Sequence, residues 1–276
     1  MLPQDSKADG AMITTVKIGA LEYLTAENIA APHAFTTRAG GVSKGYLASM
    51  NLGAHRGDTA ENVARNYEIL AGALGFSTKN LVLTRQTHSD IVLPVGDLDA
   101  RGTDHRDYPE SDGLITNTKG VALAVFTADC TPILLYDPES GAVGAVHAGW
   151  RGTASEIAAK AVKAMQAEFG CRPQKICAAI GPNIGKCCFQ TDADVPLAMQ
   201  NAFGAAAKEH IAEKDGKYYV NLKALNALSL RRAGVENIAV SEACTFCDPN
   251  RFWSHRYHGA QRGSQGAIIV CKEANR

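Results

Sequence analysis

Apolar residues recur with the period of an α-helix in four stretches of the chain. These stretches are residues 58–74, residues 153–169, a segment within residues 192–208, and the residues from Asn221 to Gly234. Asp58 is placed to cap the first stretch, and Thr153 with Glu156 has the spacing of a capping box at the start of the second. The pattern therefore predicts four helices separated by non-helical segments.

Short runs of β-branched and apolar residues occupy the segments between these helices. The predicted strands are residues 33–37, 81–84, 91–95, 113–116, 121–127, 133–136, 142–147, 175–180, 238–241 and 267–271. Residues 112–147 hold consecutive strands with no helix among them. Because the strands cluster and the helices stand apart, the sequence predicts an α+β layered fold and not a doubly wound βαβ repeat.

The composition is that of a folded globular chain without a charge bias. Of 276 residues, 46% are hydrophobic and 20% are charged, and 28 basic residues balance 28 acidic ones. The balanced charge argues against a nucleic-acid partner, and no apolar stretch approaches the roughly 18 residues of a membrane span. We expect one catalytic domain over residues 13–276 after a mobile polar leader of residues 1–12.

The leader lacks the apolar run of a secretory signal, so we expect a cytoplasmic protein. In a reducing compartment, the eight cysteines are expected to be free thiols or metal ligands.

Chemically distinctive strings stand at the ends of several predicted strands, where side chains from different strands converge. They are TRAGGVS at 37–43, QTHS at 86–89, TADCTP at 127–132 and HAGWRG at 147–152. His88, Cys130 and His147 are residue types that bind zinc, and three such ligands leave the fourth tetrahedral position open, as in catalytic sites. Their wide spacing in the sequence also leaves a purely structural role open for each.

A second group of possible metal ligands lies near the C-terminus. Cys244 and Cys247 form a C-x2-C pair, and His255 and His258 form an H-x2-H pair. Only seven residues separate Cys247 from His255, against about 12 in a zinc finger. The spacing therefore argues against a finger-type structural metal site.

The strand-end strings and their surroundings closely resemble the YfiH-like family, from about residue 33 to 260. This family is also described as laccase-domain or polyphenol oxidase proteins, peptidoglycan editing factors and purine nucleoside phosphorylases. The matching segments are TTRAGGVSKGYLASMNLG, RQTHSD, SDGLITNTKGVALAVFTADCTPILLYD, GAVGAVHAGWRGT and IGPNIGKCCF. The resemblance implies a four-layer α/β/β/α fold with mixed sheets, and a zinc ion on His88, Cys130 and His147. It also implies phosphorolysis of adenosine, inosine and methylthioadenosine, with adenosine deaminase activity.

The expected partners are therefore purine nucleosides and phosphate. A zinc ion lowers the pKa of bound water to about 7, which suits attack at C6 of adenine, and the same position can orient phosphate. The expected substrate-binding residues are Arg38, Gly41, Ser43, Gln86 and Arg151. Asp129 is expected to orient a metal ligand. An ordinary tight turn around Arg38 and a capping role for Asp129 remain open alternatives.

Three other functions are considered beside the phosphorylase. Cys130 as a nucleophile with His147 as its base would give a hydrolase that edits peptidoglycan precursors, for example by removing L-Ser from UDP-MurNAc-L-Ser. A copper-dependent polyphenol oxidase is disfavoured, because the chain has eight histidines and no His-x-His pair. A non-catalytic scaffold would need no open metal position. The physiological substrate, the choice between zinc and copper, and the oligomeric state stay open.

Overall fold

The computed structural model describes residues 11–272, so the predicted leader lies almost entirely outside the described residues. The strands are β1 (Ile13–Ile18), β2 (Leu21–Ala26), β3 (His33–Thr36), β4 (Leu81–Val82), β5 (Val92–Pro94), β6 (Gly113–Thr116), β7 (Ala122–Thr127), β8 (Thr131–Tyr136), β9 (Val143–Ala148), β10 (Cys177–Ile180), β11 (Gln190–Thr191), β12 (Ile211–Lys214), β13 (Lys217–Val220), β14 (Asn237–Val240) and β15 (Gln265–Val270). The α-helices are α1 (Ala60–Leu74), α2 (Trp150–Ala154), α3 (Ile157–Phe169), α4 (Asp194–Phe203), α5 (Leu222–Arg232) and α6 (His255–His258). Short 3-10 helices lie at 45–47, 78–80, 97–99, 105–107, 173–175 and 204–210.

Two six-stranded mixed sheets form the centre of the fold. The first has the order β1-β2-β3-β15-β7-β4, and the second has the order β14-β10-β8-β9-β6-β5. The pairs β4–β7, β5–β6 and β10–β14 are parallel, and the other pairs in these sheets are antiparallel. A small antiparallel sheet of order β11-β13-β12 lies apart from them.

The two large sheets pack face to face, with helices on both outer faces. Tyr67 and Leu70 of α1 belong to the same buried apolar cluster as β7, β15 and the inner face of the second sheet. A second cluster joins Val162 and Met165 of α3 and Leu230 of α5 to the outer face of that sheet. The predicted α+β fold with four α/β/β/α layers is therefore confirmed.

The predicted block of consecutive strands at 112–147 is also confirmed, but it contributes to both sheets. β7 belongs to the first sheet, whereas β6, β8 and β9 belong to the second. β7, β8, β9 and β15 are covered on both faces, which explains why their sequences are apolar almost throughout. The chain passes between the sheets at the β7–β8 turn, and this turn carries Cys130.

The predicted cap of the first helix is wrong. The N-cap residue of α1 is Thr59, whose hydroxyl accepts from the amide of Asn62 at 3.2 Å. The carboxylate of Asp58 instead accepts from the Ser43 hydroxyl at 2.6 Å and from the Asn51 amide at 2.9 Å. Asp58 thus ties the start of the helix to the preceding loop, a contact that the local sequence does not reveal.

The predicted capping box of the second helix is also wrong. The helical segment is broken at Glu156, which has a left-handed backbone with φ of 52° and separates α2 from α3. Thr153 is buried inside α2, where its hydroxyl accepts from Asn226 of α5 at 2.9 Å. The break leaves α2 as a separate short helix that begins directly after Gly149, at the end of β9.

The predicted helices within 192–208 and after Asn221 correspond to α4 and α5, and Gly75 and Gly170 end α1 and α3 in left-handed conformations. Strands β1, β2, β11, β12 and β13 were not predicted. Of residues 11–272, no helix is both long enough and apolar enough to cross a membrane.

Candidate active site

Three side chains from separate elements meet at one end of the two large sheets. His88 lies in the connection between β4 and β5, Cys130 in the β7–β8 turn, and His147 in β9. The nearest nitrogen or sulfur atoms of the three lie within 4.8 Å of one another, and His88 Nε2 is 3.8 Å from Cys130 Sγ. The two imidazole rings meet edge to face, with centroids 5.0 Å apart. The structure thus brings together the three predicted metal ligands, called here the triad.

A buried carboxylate beneath the triad holds two of its members in place. Asp112 is fully buried just before β6, and its Oδ1 lies 2.7 Å from His147 Nδ1. Its carboxylate also accepts from the backbone amides of Thr87, His88 and Ser89 at 3.1, 3.2 and 2.7 Å. With His147 Nδ1 engaged, Nε2 is the nitrogen that remains for a ligand.

Sequence reasoning missed Asp112, although it lies in the SDG string that carries part of the family resemblance. Asp129, the residue expected to orient a ligand, makes different contacts. Its carboxylate accepts from the Thr245 hydroxyl at 2.6 Å and from the Arg256 amide at 2.7 Å. The carboxylate that touches a triad imidazole is therefore that of Asp112.

The backbone at the triad is shaped closely around the ligands. His88 and Asp129 have left-handed backbones, with φ of 60° and 86°, an unfavourable conformation for such residues that often marks functional sites. A Cβ atom on Gly149 would lie 2.6 Å from His88 Cδ2 and 3.3 Å from Cys130 Sγ. The glycine of the HAGWRG string is thus required by its close approach to two triad members.

The triad and Asp112 shift one another's protonation equilibria. Burial alone would raise the pKa of the Cys130 thiol, but the imidazoles of His147 and His88 outweigh it and lower the pKa to about 6. Burial alone would lower the pKa of His147, but the Cys130 thiolate and the Asp112 carboxylate raise it to about 9. Each of the two groups therefore favours the charged form of the other, and a metal that binds the thiolate and the neutral imidazoles competes with protons.

The triad fits a zinc ion. With a Zn–N distance of about 2.0 Å and a Zn–S distance of about 2.3 Å, a tetrahedral site places nitrogen and sulfur about 3.5 Å apart. His88 Nε2 and Cys130 Sγ are 3.8 Å apart, so a small shift brings both atoms to bonding distance of one ion. Two imidazoles and one thiolate are a borderline-soft donor set that suits zinc, and they leave one position for water or substrate.

The triad opens into a cavity of about 380 Å³, a volume within the range of small-molecule sites. Its apolar wall includes Phe126, Trp150, Ile184 and Phe189. Its polar residues are Gln86, His105, Thr127, Asp129, His255, Ser264 and the three arginines Arg56, Arg256 and Arg262. The cavity therefore pairs an aromatic wall with a concentration of positive charge.

Three predicted substrate-binding residues lie outside the lining of this cavity. Arg38 donates to the carbonyls of Pro249 at 2.6 Å and Ala48 at 3.2 Å, and its guanidinium stacks on Trp253 at 3.9 Å. The amide of Gly41 and the hydroxyl of Ser43 donate to Ser49 Oγ and to Asp58 Oδ2. The glycine-rich turn that these residues form is held by internal bonds.

The other two predicted substrate-binding residues lie close to the triad. Gln86 lines the cavity, and its amide exchanges two hydrogen bonds with the backbone of Phe126, at 2.7 and 2.8 Å. Arg151 stacks on Trp150 at 4.1 Å and lines a neighbouring cavity of about 400 Å³ that also includes His88. The arginines that line the main cavity are Arg56, Arg256 and Arg262.

The C-x2-C and H-x2-H pairs near the C-terminus do not form one group of metal ligands. His255 Nδ1 accepts from the Arg262 guanidinium at 3.2 Å. His258 contacts Ser254 and the Arg38 guanidinium. Cys244 and Cys247 instead lie beside Cys187 and Cys188.

Substitution of Gly149 by alanine is predicted to weaken zinc binding at least about tenfold, the typical cost of a disturbed ligand environment. The added methyl group would overlap His88 and displace its imidazole. Gly72→Ala is the matched control, because its Cβ would meet no atom within 4 Å and lies on α1. Competition with a zinc chelator measures both affinities, and equal affinities in the two variants would contradict the prediction.

Substitution of Asp112 by asparagine is predicted to lower zinc affinity about 10–100-fold, because it weakens the orientation of His147 and the backbone bonds around His88. Asp137→Asn removes another buried carboxylate, which accepts from Ser140 and Glu139. This control should bind zinc like the wild type. If both variants lose affinity equally, Asp112 has no specific role in the site.

Comparisons with known proteins agree on the family of this chain. Residues 32–272 match the family model described as multi-copper polyphenol oxidoreductase laccase. The chain is 40% identical over 253 residues to a protein of Deinococcus radiodurans named purine nucleoside phosphorylase, covering 90% of this chain and 92% of that protein.

Two solved structures extend the agreement to the fold. The crystal structure of YlmD from Geobacillus stearothermophilus superposes with a TM-score of 0.89 at 36% identity, over 95% of this chain and all of that one. The structure of YfiH from Bacillus licheniformis gives 0.87 at 34% identity, over 92% and 97%. The predicted resemblance is confirmed, and the chain belongs to the family of laccase-domain proteins that includes YlmD and YfiH.

Proposed function

We propose that this chain is a zinc-dependent purine nucleoside phosphorylase, with its reaction centre at the triad. The observation that carries the proposal is the triad itself, an incomplete set of metal ligands that opens into a cavity with aromatic walls and cationic side chains. Relatives over most of the chain carry the name purine nucleoside phosphorylase, which supports an enzyme of this kind.

The aromatic part of the cavity suits a purine base. Phe126, Trp150 and Phe189 offer apolar surface to a flat heterocycle. His105 Nδ1 and Thr127 Oγ1 are buried without a hydrogen-bond partner in the described residues, and both residues line the cavity. Such unpartnered polar atoms favour a ligand that can donate and accept hydrogen bonds, as adenosine, inosine and methylthioadenosine do.

The cationic part suits phosphate, and Arg262 is the best-placed residue to bind it. Burial, with the nearby positive charge of Arg56, lowers the pKa of Arg262 to about 10. The guanidinium donates hydrogen bonds to His255 Nδ1 and to the Gly263 carbonyl, and neither acceptor is a carboxylate. A phosphate dianion in the cavity would offset this buried positive charge.

In phosphorolysis, a phosphate oxygen forms a bond to C1′ of the ribose while the C1′–N9 bond breaks. The electron pair leaves with the purine, which takes up the phosphate proton, so that the products are ribose 1-phosphate and the free base. Arg262 and its neighbours hold the anion, and the aromatic wall holds the base. Asp112 keeps the Nε2 of His147 directed at the centre. When bound to the triad, zinc would supply a Lewis acid at the open face.

The same centre would deaminate adenosine when water replaces phosphate as the nucleophile. Water adds at C6, and ammonia leaves with the protons that balance the step, which gives inosine. Both reactions would need His88, Cys130 and His147, so a single substitution should affect both.

A cysteine-dependent hydrolase is the second candidate, because Cys130, His147 and Asp112 also have the order of a nucleophile, a base and an orienting carboxylate. Such an enzyme would suit the editing of peptidoglycan precursors. It would be active without metal, and zinc on Cys130 would inhibit it. A chelator therefore separates the two candidates, since it should inactivate a zinc-dependent phosphorylase and activate the hydrolase.

With adenosine as substrate, we predict inosine and ammonia in the absence of phosphate. Adding phosphate should yield adenine and ribose 1-phosphate, because the two nucleophiles share one centre. His147→Ala should lose both activities by at least about 100-fold, the scale of removing a central catalytic group. Chromatography of the products measures both routes. A folded, zinc-free His147→Ala protein that phosphorolyses adenosine at the wild-type rate would contradict the shared centre.

Arg262→Gln is predicted to raise the KM for phosphate at least about tenfold, because it removes a charge-assisted contact to the anion. Arg38→Gln is the matched control, since that guanidinium bonds to two carbonyls and Trp253 outside the cavity. It should lower the melting temperature and leave the KM for phosphate within about twofold, as expected of a side chain without ligand contact. If Arg38→Gln raised the KM for phosphate more than Arg262→Gln did, Arg38 would be the phosphate-binding residue.

A further inference from the structure

Four cysteines from two loops converge beside the cavity wall, at a place separate from the triad. They are Cys187, Cys188, Cys244 and Cys247, called here the cysteine quartet. Their Sγ atoms all lie within 4.8 Å of one another. Three of the separations are 3.3 Å for Cys188–Cys247, 3.5 Å for Cys187–Cys188 and 3.7 Å for Cys187–Cys247.

These separations fit thiolates around one metal ion better than they fit disulfides. Four sulfurs at about 2.3 Å from a tetrahedral zinc ion lie about 3.8 Å apart. A disulfide holds its two sulfurs at about 2.05 Å, far closer than any pair in the quartet. All four cysteines are free, and none of them is fully buried.

The backbone around the quartet is arranged to bring the sulfurs together. The amide of Gly185 donates to Cys244 Sγ at 3.1 Å, a bond that favours a thiolate. A Cβ atom on Gly185 would lie 3.1 Å from Cys187 Sγ and 3.3 Å from Cys244 Cβ, so a larger residue would crowd both loops. The C-x2-C segment closes as a turn, in which the Asp248 amide donates to the Cys244 carbonyl at 3.2 Å.

A buried cation lies beside the quartet and offsets its negative charge. Four thiolates around one divalent ion leave a net negative charge, which is costly near the protein interior. Lys223 of α5 is buried, its ammonium donates to the Ala243 carbonyl at 2.6 Å, and it interacts electrostatically with Cys244 and Cys187. The Glu242 carboxylate also attracts this ammonium. A buried lysine beside two of the four cysteines suits a metal–thiolate cluster.

We propose that the cysteine quartet is a second metal site, which binds one zinc ion through four thiolates. Four protein ligands leave no open position, so the site is structural and not catalytic. It is independent of the triad, because the two groups share no residue.

The quartet is placed to fix two loops of the cavity wall. Ile184 and Phe189 flank the Cys187–Cys188 pair, and both line the cavity. Thr245, between the other two cysteines, donates from its hydroxyl to Asp129 at 2.6 Å and from its amide to Asn183 at 3.0 Å. Asp129 directly precedes Cys130, so a metal in the quartet would tie the substrate wall to the turn that carries a triad ligand.

Elemental analysis of purified, zinc-supplemented protein tests the proposal. The wild type is expected to contain two zinc ions per chain. The double variant Cys187→Ser/Cys247→Ser should retain one, Cys130→Ser should retain one, and the combination should retain none. Cys177→Ser is the matched control outside both groups and should retain two. One zinc per wild-type chain that is lost in Cys130→Ser and kept in the double variant would overturn the proposal.

Two further measurements use protein in which all four cysteines of the quartet are present. They test the proposal even if the double variant does not fold. Cobalt added to zinc-free Cys130→Ser protein should give the strong visible bands of a tetrahedral thiolate site, and their absence would overturn the proposal. Alkylation of wild-type protein, denatured with chelator and without reductant, should modify all eight cysteines. Modification of only six would show a disulfide in place of the metal site.

Discussion

The buried carboxylate of Asp112 is the interaction on which the candidate site depends. It joins β6 to the imidazole of His147 in β9 and to three consecutive amides of the loop that carries His88. Burial of an unpaired carboxylate would destabilise the folded state. Each group that contacts the Asp112 carboxylate, however, is a hydrogen-bond donor. The same bonds hold His88 in its left-handed backbone conformation, which the loop would not adopt by itself. Through one side chain, the core of the second sheet thus determines where two metal ligands lie.

The layered fold supplies the third ligand and the cavity. Because β7 and β8 belong to different sheets, the turn between them must cross from one to the other, and Cys130 lies at this crossing. The family description refers to several copper ions, but this chain has eight histidines without a His-x-His pair. Within residues 11–272, the groups of three or more residues able to hold a metal are the triad and the cysteine quartet. One single-metal centre with an open face at the triad, and one closed group of four thiols, fit these residues better than the histidine-rich clusters of a multi-copper oxidase do.

Local patterns predicted the α+β layered fold and marked the strand ends as chemically distinctive, whereas the four-layer arrangement and the ligand triad were implied by the family resemblance. Buried strands are apolar almost throughout, and metal-ligand residue types occur at their ends. The local sequence does not predict the role of a side chain that forms its hydrogen bonds with residues far away in the chain. Arg38 stands in a glycine-rich turn that resembles an anion site, yet its guanidinium is bound by the Pro249 carbonyl, 211 residues away. Arg262 enters the cavity only through the folding of the C-terminal segment.

The helix boundaries show the same limit at shorter range. Thr153 and Glu156 have the spacing of a capping box, but the pairing of Thr153 with Asn226 of α5 overrides it and the helix breaks at Glu156. The sequence pattern does not predict strand β1. This strand lies at the edge of its sheet, and its polar and partly exposed positions interrupt the run of apolar residues that indicates a strand. The cysteine quartet combines two segments that lie about 60 residues apart in the sequence, so no local spacing of cysteines predicts it.

A crystal structure of the zinc-loaded protein, with anomalous differences measured above and below the zinc absorption edge, tests the account most directly. The account predicts an anomalous peak bonded to His88 Nε2, Cys130 Sγ and His147 Nε2, with the Asp112 carboxylate on His147 Nδ1. A fully loaded crystal with no peak at the triad, or with the ion bound through His147 Nδ1 and Asp112 turned away, would contradict it.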